Sequence, residues 1–168
     1  MPDGQEGELL LRGPTISPGY HDSPEANMAA HTDDGWFRSG DILRRDGGGS
    51  FFFVDRARDM IRTGGLNVYA ADVEQAIVTH AGDVIADVAV LGSPSHTWGE
   101  EVVAVVVARP GATVGIDTLA ARLRGQIGDY KIPKRSLRID ALPRDTLGKI
   151  DKKQLRTLLA GDPGAHRQ

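Results

Sequence analysis

Val84-Ile85-Ala86-Asp87-Val88-Ala89-Val90-Leu91 and Val102-Val103-Ala104-Val105-Val106-Val107-Ala108 decide the fold of this chain. Both runs are short, apolar and rich in β-branched residues, whose stiff side chains fit a pleated surface. Runs of this kind predict buried strands. Upstream, Val73, Ala76, Ile77 and His80 recur at helical spacing within Asp72 to His80. Downstream, Ile116, Leu119, Ala120, Leu123 and Ile127 give a second amphipathic helix. Ser136 to Ile139 reads as a third strand, and Asp151 as the cap of a last helix with Leu155, Leu158 and Leu159 inward. The pattern predicts an α+β domain over residues 58–160, a central sheet flanked by helices, with a loose tail over 161–168.

Residues 1–57 have a different character. Glu8 to Arg12 reads as a strand ending at Gly13-Pro14, and Ser17 to Asp34 is polar and irregular. Trp36 to Arg44 is strand material, and Asp46-Gly47-Gly48-Gly49 is a hairpin turn that returns through Ser50 to Val54. This β-rich piece has few apolar residues for a core of its own, so it is not expected to fold independently.

Composition narrows the chemistry. There are no Cys residues in the 168, which excludes disulfides, thiolate metal sites and a Cys nucleophile. The five His are scattered without metal-ligand spacing, so no metal site is expected. A net charge of −3 argues against a general nucleic-acid surface. No apolar run is long enough to span a membrane and the N-terminus is polar, so a cytoplasmic protein is the expectation.

Three segments carry candidate chemistry. Leu142-Pro143-Arg144-Asp145-Thr146-Leu147-Gly148-Lys149-Ile150-Asp151-Lys152 puts one Lys on a Gly-containing turn just ahead of a helix. A cation so placed can neutralise phosphate or carboxylate oxygens as charge builds on them. The segment lacks P-loop spacing, and Gly-Lys pairs are common, so by itself Lys149 reads first as a solvated surface residue. Gly35-Trp36-Phe37-Arg38-Ser39-Gly40-Asp41 offers a carboxylate after a tight Gly, suited to vicinal hydroxyls or to its own backbone. The third segment is Asp55-Arg56-Ala57-Arg58-Asp59-Met60-Ile61-Arg62-Thr63-Gly64-Gly65-Leu66-Asn67-Val68-Tyr69. Arg56 presents a planar fork of donors for phosphate or ribose oxygens, or else a surface ion pair with Asp55 or Asp59. Gly64-Gly65 permits close approach by a narrow ligand, or is a plain turn before the helix.

In this order and separation the three segments resemble the C-terminal part of the adenylate-forming (AMP-binding) superfamily, which includes acyl- and aryl-CoA ligases. The resemblance runs from about Gly7 to about Leu159. It implies that residues 1–57 end a large N-terminal AMP-binding domain, otherwise missing here, and that 58–160 form a mobile lid. It implies roles as well: Lys149 as the catalytic cation of adenylation, Asp41 and Arg56 as nucleotide contacts, and Arg58 as the hinge, where the family usually has Asp or Lys. Gly64 and Gly65 would face pantetheine, and Trp98 would lie against CoA or pack in the core. Asn67 and Glu74 would be structural polar groups supporting the Gly64-Gly65 loop. Lys131 and the basic residues near Pro133 would meet CoA phosphates or form a solvated face. Asp55 before Arg56, together with Trp98, inclines the resemblance toward aryl, alicyclic or medium-chain acids.

The implied activity is that of an ATP-dependent carboxylic acid–CoA ligase, with ATP, Mg²⁺ and CoA as its cofactors. The fragment alone is expected to be inactive, because the phosphate loop, adenine pocket and acid pocket belong to the large domain. Two other readings fit the sequence: an adenylation domain loading a carrier protein, and a non-catalytic remnant acting as an interaction module.

Overall fold

A computed structural model of the chain describes residues 2–161, which divide into two compact units at Arg58/Asp59. In the first unit β1 (Glu6–Leu11), β2 (Phe37–Arg45) and β3 (Phe51–Arg56) form an antiparallel sheet in that order. The β2–β3 turn is held by the Asp46 side chain, whose Oδ1 accepts the N–H groups of Gly48 and Ser50 at 2.9 and 2.8 Å. Gly49 closes it at φ +86°, a value only glycine adopts cheaply. Ile42 is the one buried apolar side chain among the described residues of this unit. Phe51, Phe52 and Phe53 are all largely exposed on the edge strand.

The polar stretch Ser17–Asp34, expected to be irregular, contains a helix, α1 (Pro24–Ala30). Its start follows local rules, with Pro at the first turn and Glu25 near the N-terminal end of the dipole. It buries no residue, so it has no apolar stripe for a sequence reading to find.

The second unit is the α+β body. Its strands are β4 (Ile61–Thr63), β5 (Leu66–Val68), β6 (Ile85–Ser95), β7 (Gly99–Ala108) and β8 (Arg135–Arg138). Its helices are α2 (Ala70–Ala81), α3 (Ile116–Leu123) and α4 (Lys152–Gly161). β6 and β7 are a long antiparallel pair running from Ile85↔Ala108 to Ser95↔Gly99, in one register from Asp87↔Val107 onward. β4 joins β7 at Thr63↔Gly99, and β8 runs parallel to β7 over Val103–Val106.

The unbroken apolar runs now have a physical reason. Val88, Val90, Val102, Ala104 and Val106 pack on one side of the sheet with Val73 and Ile77 of α2 and Leu119 and Leu123 of α3. Ala89, Leu91, Val103 and Val105 pack on the other with Leu155 and Leu159 of α4. Both faces are covered over Val88–Leu91 of β6 and Val102–Val106 of β7, so every position along those stretches is apolar.

Three details differ from the sequence reading. α3 stops at Leu123, not Ile127, because Arg124 takes extended ψ and Gly125 sits at φ +76°. Ile127 still packs against the core from the following turn. Leu158 faces outward, whereas Leu155 and Leu159 are buried. Gly161, assigned to the tail, completes α4; the remainder of that tail lies outside the described residues.

Candidate active site

Asp41 and Arg56 are direct cross-strand partners on β2 and β3. Arg56 Nε lies 2.9 Å from Asp41 Oδ1, so the ion pair of Arg56 is with Asp41 rather than with Asp55 or Asp59. The approach is not aligned as a hydrogen bond, and Asp41 Oδ1 is buried with no hydrogen-bond donor among the described residues. Asp55 is buried behind this pair in sequence, its Oδ1 accepting the Arg56 N–H at 2.7 Å. Arg58 is exposed in a single 3₁₀ turn, Ala57–Asp59, at the division between the units.

In the second unit Gly64 and Gly65 are the two-residue turn between β4 and β5, at φ +57° and +80°. The turn is part of a hairpin of its own before α2, which short three-residue strands hide in the sequence. Positive φ at both turn positions is what glycine supplies in such hairpins. The Gly64 N–H donates to the Trp98 carbonyl at 2.9 Å, which sets the turn beside the Trp98 indole. A Cβ on Gly64 would stand 3.1 Å from the Trp98 ring. Trp98 is therefore not a core residue; half of it is exposed.

Gly64 and Trp98 line an apolar cavity of about 270 Å³ with Thr63, Leu66, Tyr130 and Lys134. Lys134 reaches back to the Asp129 carbonyl at 3.3 Å. Lys131, grouped with it in the sequence, is committed elsewhere: its ammonium pairs with Asp72 of α2 at 3.0 Å.

Glu74, expected to support the Gly64-Gly65 loop, does not do so. Its Oε1 accepts the Val90 N–H at 2.8 Å and lies 3.6 Å from Lys152 Nζ, tying α2 to β6 and α4. Asn67 is exposed on β5 opposite Arg62. The carboxylate that does brace the hairpin is Glu100, whose Oε2 accepts the Arg62 N–H at 2.8 Å. The two are 38 residues apart, and no local spacing signals that contact.

Lys149 sits on a tight turn closed by the Arg144↔Ile150 bridge. Asp145 builds this turn. Its Oδ1 accepts the N–H groups of Leu147 and Lys149, both at 2.9 Å, and its N–H donates to the Lys149 carbonyl at 2.8 Å. Gly148 occupies φ +80° just before the lysine. The Lys149 side chain is exposed, and its ammonium has no partner among the described residues. Asp151 then starts α4, its Oδ1 accepting the N–H groups of Lys153 and Gln154 at 3.0 Å. A rigid backbone thus presents a free cation, an arrangement suited to stabilising charge that develops on a ligand.

Among the described residues no group of three or more His, Cys, Asp or Glu is placed to hold a metal ion. Among them, too, no helix is long and apolar enough to cross a membrane.

Comparison with known proteins bears on the fold and the family. A family described as the AMP-binding enzyme C-terminal domain matches residues 72–149. An octahydroindenyl-propanoyl:CoA ligase of Mycobacterium tuberculosis is 43% identical over 153 residues, 91% of this chain and 30% of its own length. A feruloyl-CoA synthase of Amycolatopsis is 42% identical over 156 residues, 93% of this chain and 31% of its own length. The chain therefore spans under a third of these relatives. The crystal structure of ATP-bound MatB from Rhodopseudomonas palustris superposes with a TM-score of 0.83 at 36% identity, covering 96% of this chain and 32% of that one. On its motifs, its fold and these matches, residues 72–149 carry an AMP-binding enzyme C-terminal domain, and the chain as a whole is similar to the C-terminal portion of adenylate-forming enzymes.

Proposed function

We propose that this chain is the lid-bearing end of an ATP-dependent carboxylic acid–CoA ligase, cytoplasmic and working with a large N-terminal domain of the kind its relatives carry. The observation that carries this reading is the Lys149 turn: a backbone fixed by Asp145 and a cation without a partner among the described residues. Attack of a carboxylate on the α-phosphorus of ATP brings two anions together and spreads negative charge in the transition state. An ammonium held ready by a stiff turn lowers that barrier without having to abandon another partner.

Asp41 and Arg56 suit the nucleotide. The buried Asp41 Oδ1 lacks a hydrogen-bond donor, and a ribose hydroxyl would supply one. Arg56, half exposed, has guanidinium N–H groups to spare for phosphate or ribose oxygens. Mg²⁺ would enter with ATP and neutralise its phosphates. The cavity beside Gly64 and Trp98 suits the pantetheine arm of CoA, being largely apolar with Lys134 in its lining. Lys149 does not line that cavity, so adenylation and thiol capture use separate parts of the second unit. Rotation of that unit about Arg58 would present the two in turn. By itself the 168-residue chain is expected to make no acyl-CoA.

The test is Lys149→Ala in the enzyme that joins this chain to its large domain. Acyl-adenylate formation should fall by roughly 10²-fold or more, the scale of losing a transition-state charge stabiliser. Thioester formation from supplied acyl-AMP should persist. Equal losses in both half-reactions would refute the reading. Replacing CoA by a carrier protein's pantetheine in the same assay separates the ligase from a carrier-loading enzyme.

A further inference from the structure

The Lys149 turn is fastened to the sheet by a residue that neither the ligand chemistry nor the sequence motif accounts for. Arg144 lies at the start of the turn. Its Nη1 donates to the carbonyl of Gly148, the residue before the lysine, at 3.0 Å. Its Nη2 donates to Asp87 Oδ2 on β6 at 2.6 Å. One planar guanidinium thus spans from the lysine's own peptide to the central sheet.

Asp87 is prepared to receive it. The β6–β7 register shifts between Ile85 and Asp87, a bulge of the sort that re-aims a side chain. The second Asp87 oxygen, Oδ1, accepts the Val88 N–H at 3.0 Å, which fixes the carboxylate orientation. Asp87 flanks Val88 and Ala89, which are packed into the two cores, so the anchor point is rigid. Arg144 and Asp87 are themselves partly exposed, at 46% and 37% of their side-chain surface. An exposed pair of this kind adds little to stability. What it can add is direction, because a planar fork allows fewer geometries than a point charge.

We infer that Arg144 and Asp87 form a strut that aims Lys149, making both positioning residues of the adenylation half-reaction. The inference rests on the role proposed for Lys149. Within the turn, Asp145 fixes the local backbone, but all of its contacts are to residues of the turn itself. Arg144 links that local structure to β6 through side chains. Leu142 and Ile150 also seat the ends of the turn on the α4-covered face of the sheet. Without the strut the turn therefore keeps its shape and its apolar seat, and loses the polar link that sets the direction of the Gly148–Lys149 peptide.

The experiment measures both half-reactions in the enzyme joining this chain to its large domain, for Arg144→Ala, Asp87→Ala, the double variant and Lys149→Ala. Arg144→Ala should lower kcat for adenylation by roughly 10- to 100-fold, the cost of a misplacement near 1 Å. KM for ATP and for the acid should stay within about threefold, since uniform binding is untouched. Thioester formation from supplied acyl-AMP should be unchanged. Asp87→Ala should act in the same direction, and the double variant should be no slower than the slower single one, as for two ends of one link. Arg144→Lys should recover part of the rate, since an ammonium can serve one end of the link.

A normal adenylation rate for Arg144→Ala, additive losses in the double variant, or equal damage to both half-reactions would overturn the strut. If Arg144→Ala does not fold, Asp87→Asn, which keeps an acceptor but loses the charge, takes its place with the same criteria. Should Lys149→Ala itself adenylate normally, the proposed role of Lys149 falls and the strut with it. Should Lys149→Ala be crippled and Arg144→Ala be normal, only the strut falls.

Discussion

Arg56 and Asp41 face each other across β2 and β3, Nε to Oδ1 at 2.9 Å, yet the carboxylate oxygen keeps its hydrogen-bonding capacity. A charge pair close enough to attract but misaligned for a hydrogen bond is available to a third group. Arg56→Ala in the full enzyme should raise KM for ATP by roughly 10- to 100-fold, the range for losing a charged hydrogen bond. Its effect on folding stability should stay within about 1 kcal/mol, because the pair is partly exposed. Steady-state kinetics and urea melts check the two halves. An unchanged ATP dependence would remove Arg56 from the nucleotide site.

Gly64→Ala tests the cavity. At φ +57° an alanine carries about 1–2 kcal/mol of strain. Its methyl would also press on the Trp98 indole, 3.1 Å away. The half-exposed indole can move, so the variant should fold while its cavity narrows. Thioester formation should slow and KM for CoA should rise, with adenylation close to normal. Loss confined to adenylation would detach this turn from the thiol step.

Leu155→Ala probes the α4 side of the sheet. Leu155 is fully buried against Leu91, Val103 and Val105. Truncation there should cost about 2–5 kcal/mol, through lost transfer energy and the cavity left behind. Denaturant unfolding followed by circular dichroism measures it. Leu158→Ala, on the outward side of the same helix, should be nearly neutral by the same measurement.

Asp83 and Arg122 should make one acid-sensitive contribution to stability. The guanidinium grips both oxygens of Asp83 and, through Nη1, the His80 carbonyl, clamping α3 to the end of α2. Hydrogen bonding to Arg122 holds the Asp83 carboxyl below its ordinary value of 3.8. A folded-state value below the unfolded one stabilises the fold above the unfolded value, and that contribution is lost as pH falls through the folded one. The melting difference between wild type and Arg122→Ala should therefore be constant near neutrality and shrink below pH 3.8. A gap that persists at strong acidity would deny the pair its effect.

Much of the second unit was legible because its signals are repetitive. The apolar runs of β6 and β7 and the helical spacing in α2 each extend over several residues, so one irregular position does not hide them. The exceptions were brief or distant. α1 buries nothing and therefore leaves no apolar period. β4 and β5 are three residues each, too short for alternation to be read. Trp98 was an open choice between core and ligand surface; its half exposure and the Gly64 N–H bond to its carbonyl take it out of the core and set the indole beside the glycine turn. Glu74 shows the opposite limit. Its place on α2 was readable, but its partners, Val90 and Lys152, come from elements that only the tertiary fold brings near. Glu100 bracing Arg62 and Arg144 reaching Asp87 belong to the same class.

The indole at the cavity also gives the protein its own optical reporter. The chain has two tryptophans, and Trp36 belongs to the other unit, under the Arg12 guanidinium. With Trp36 replaced by Phe, emission would come from Trp98 alone, a half-wetted ring whose colour and quenching respond to whatever displaces water beside it. Entry of the thiol arm proposed for that cavity could then be timed in a stopped-flow trace without attaching a dye.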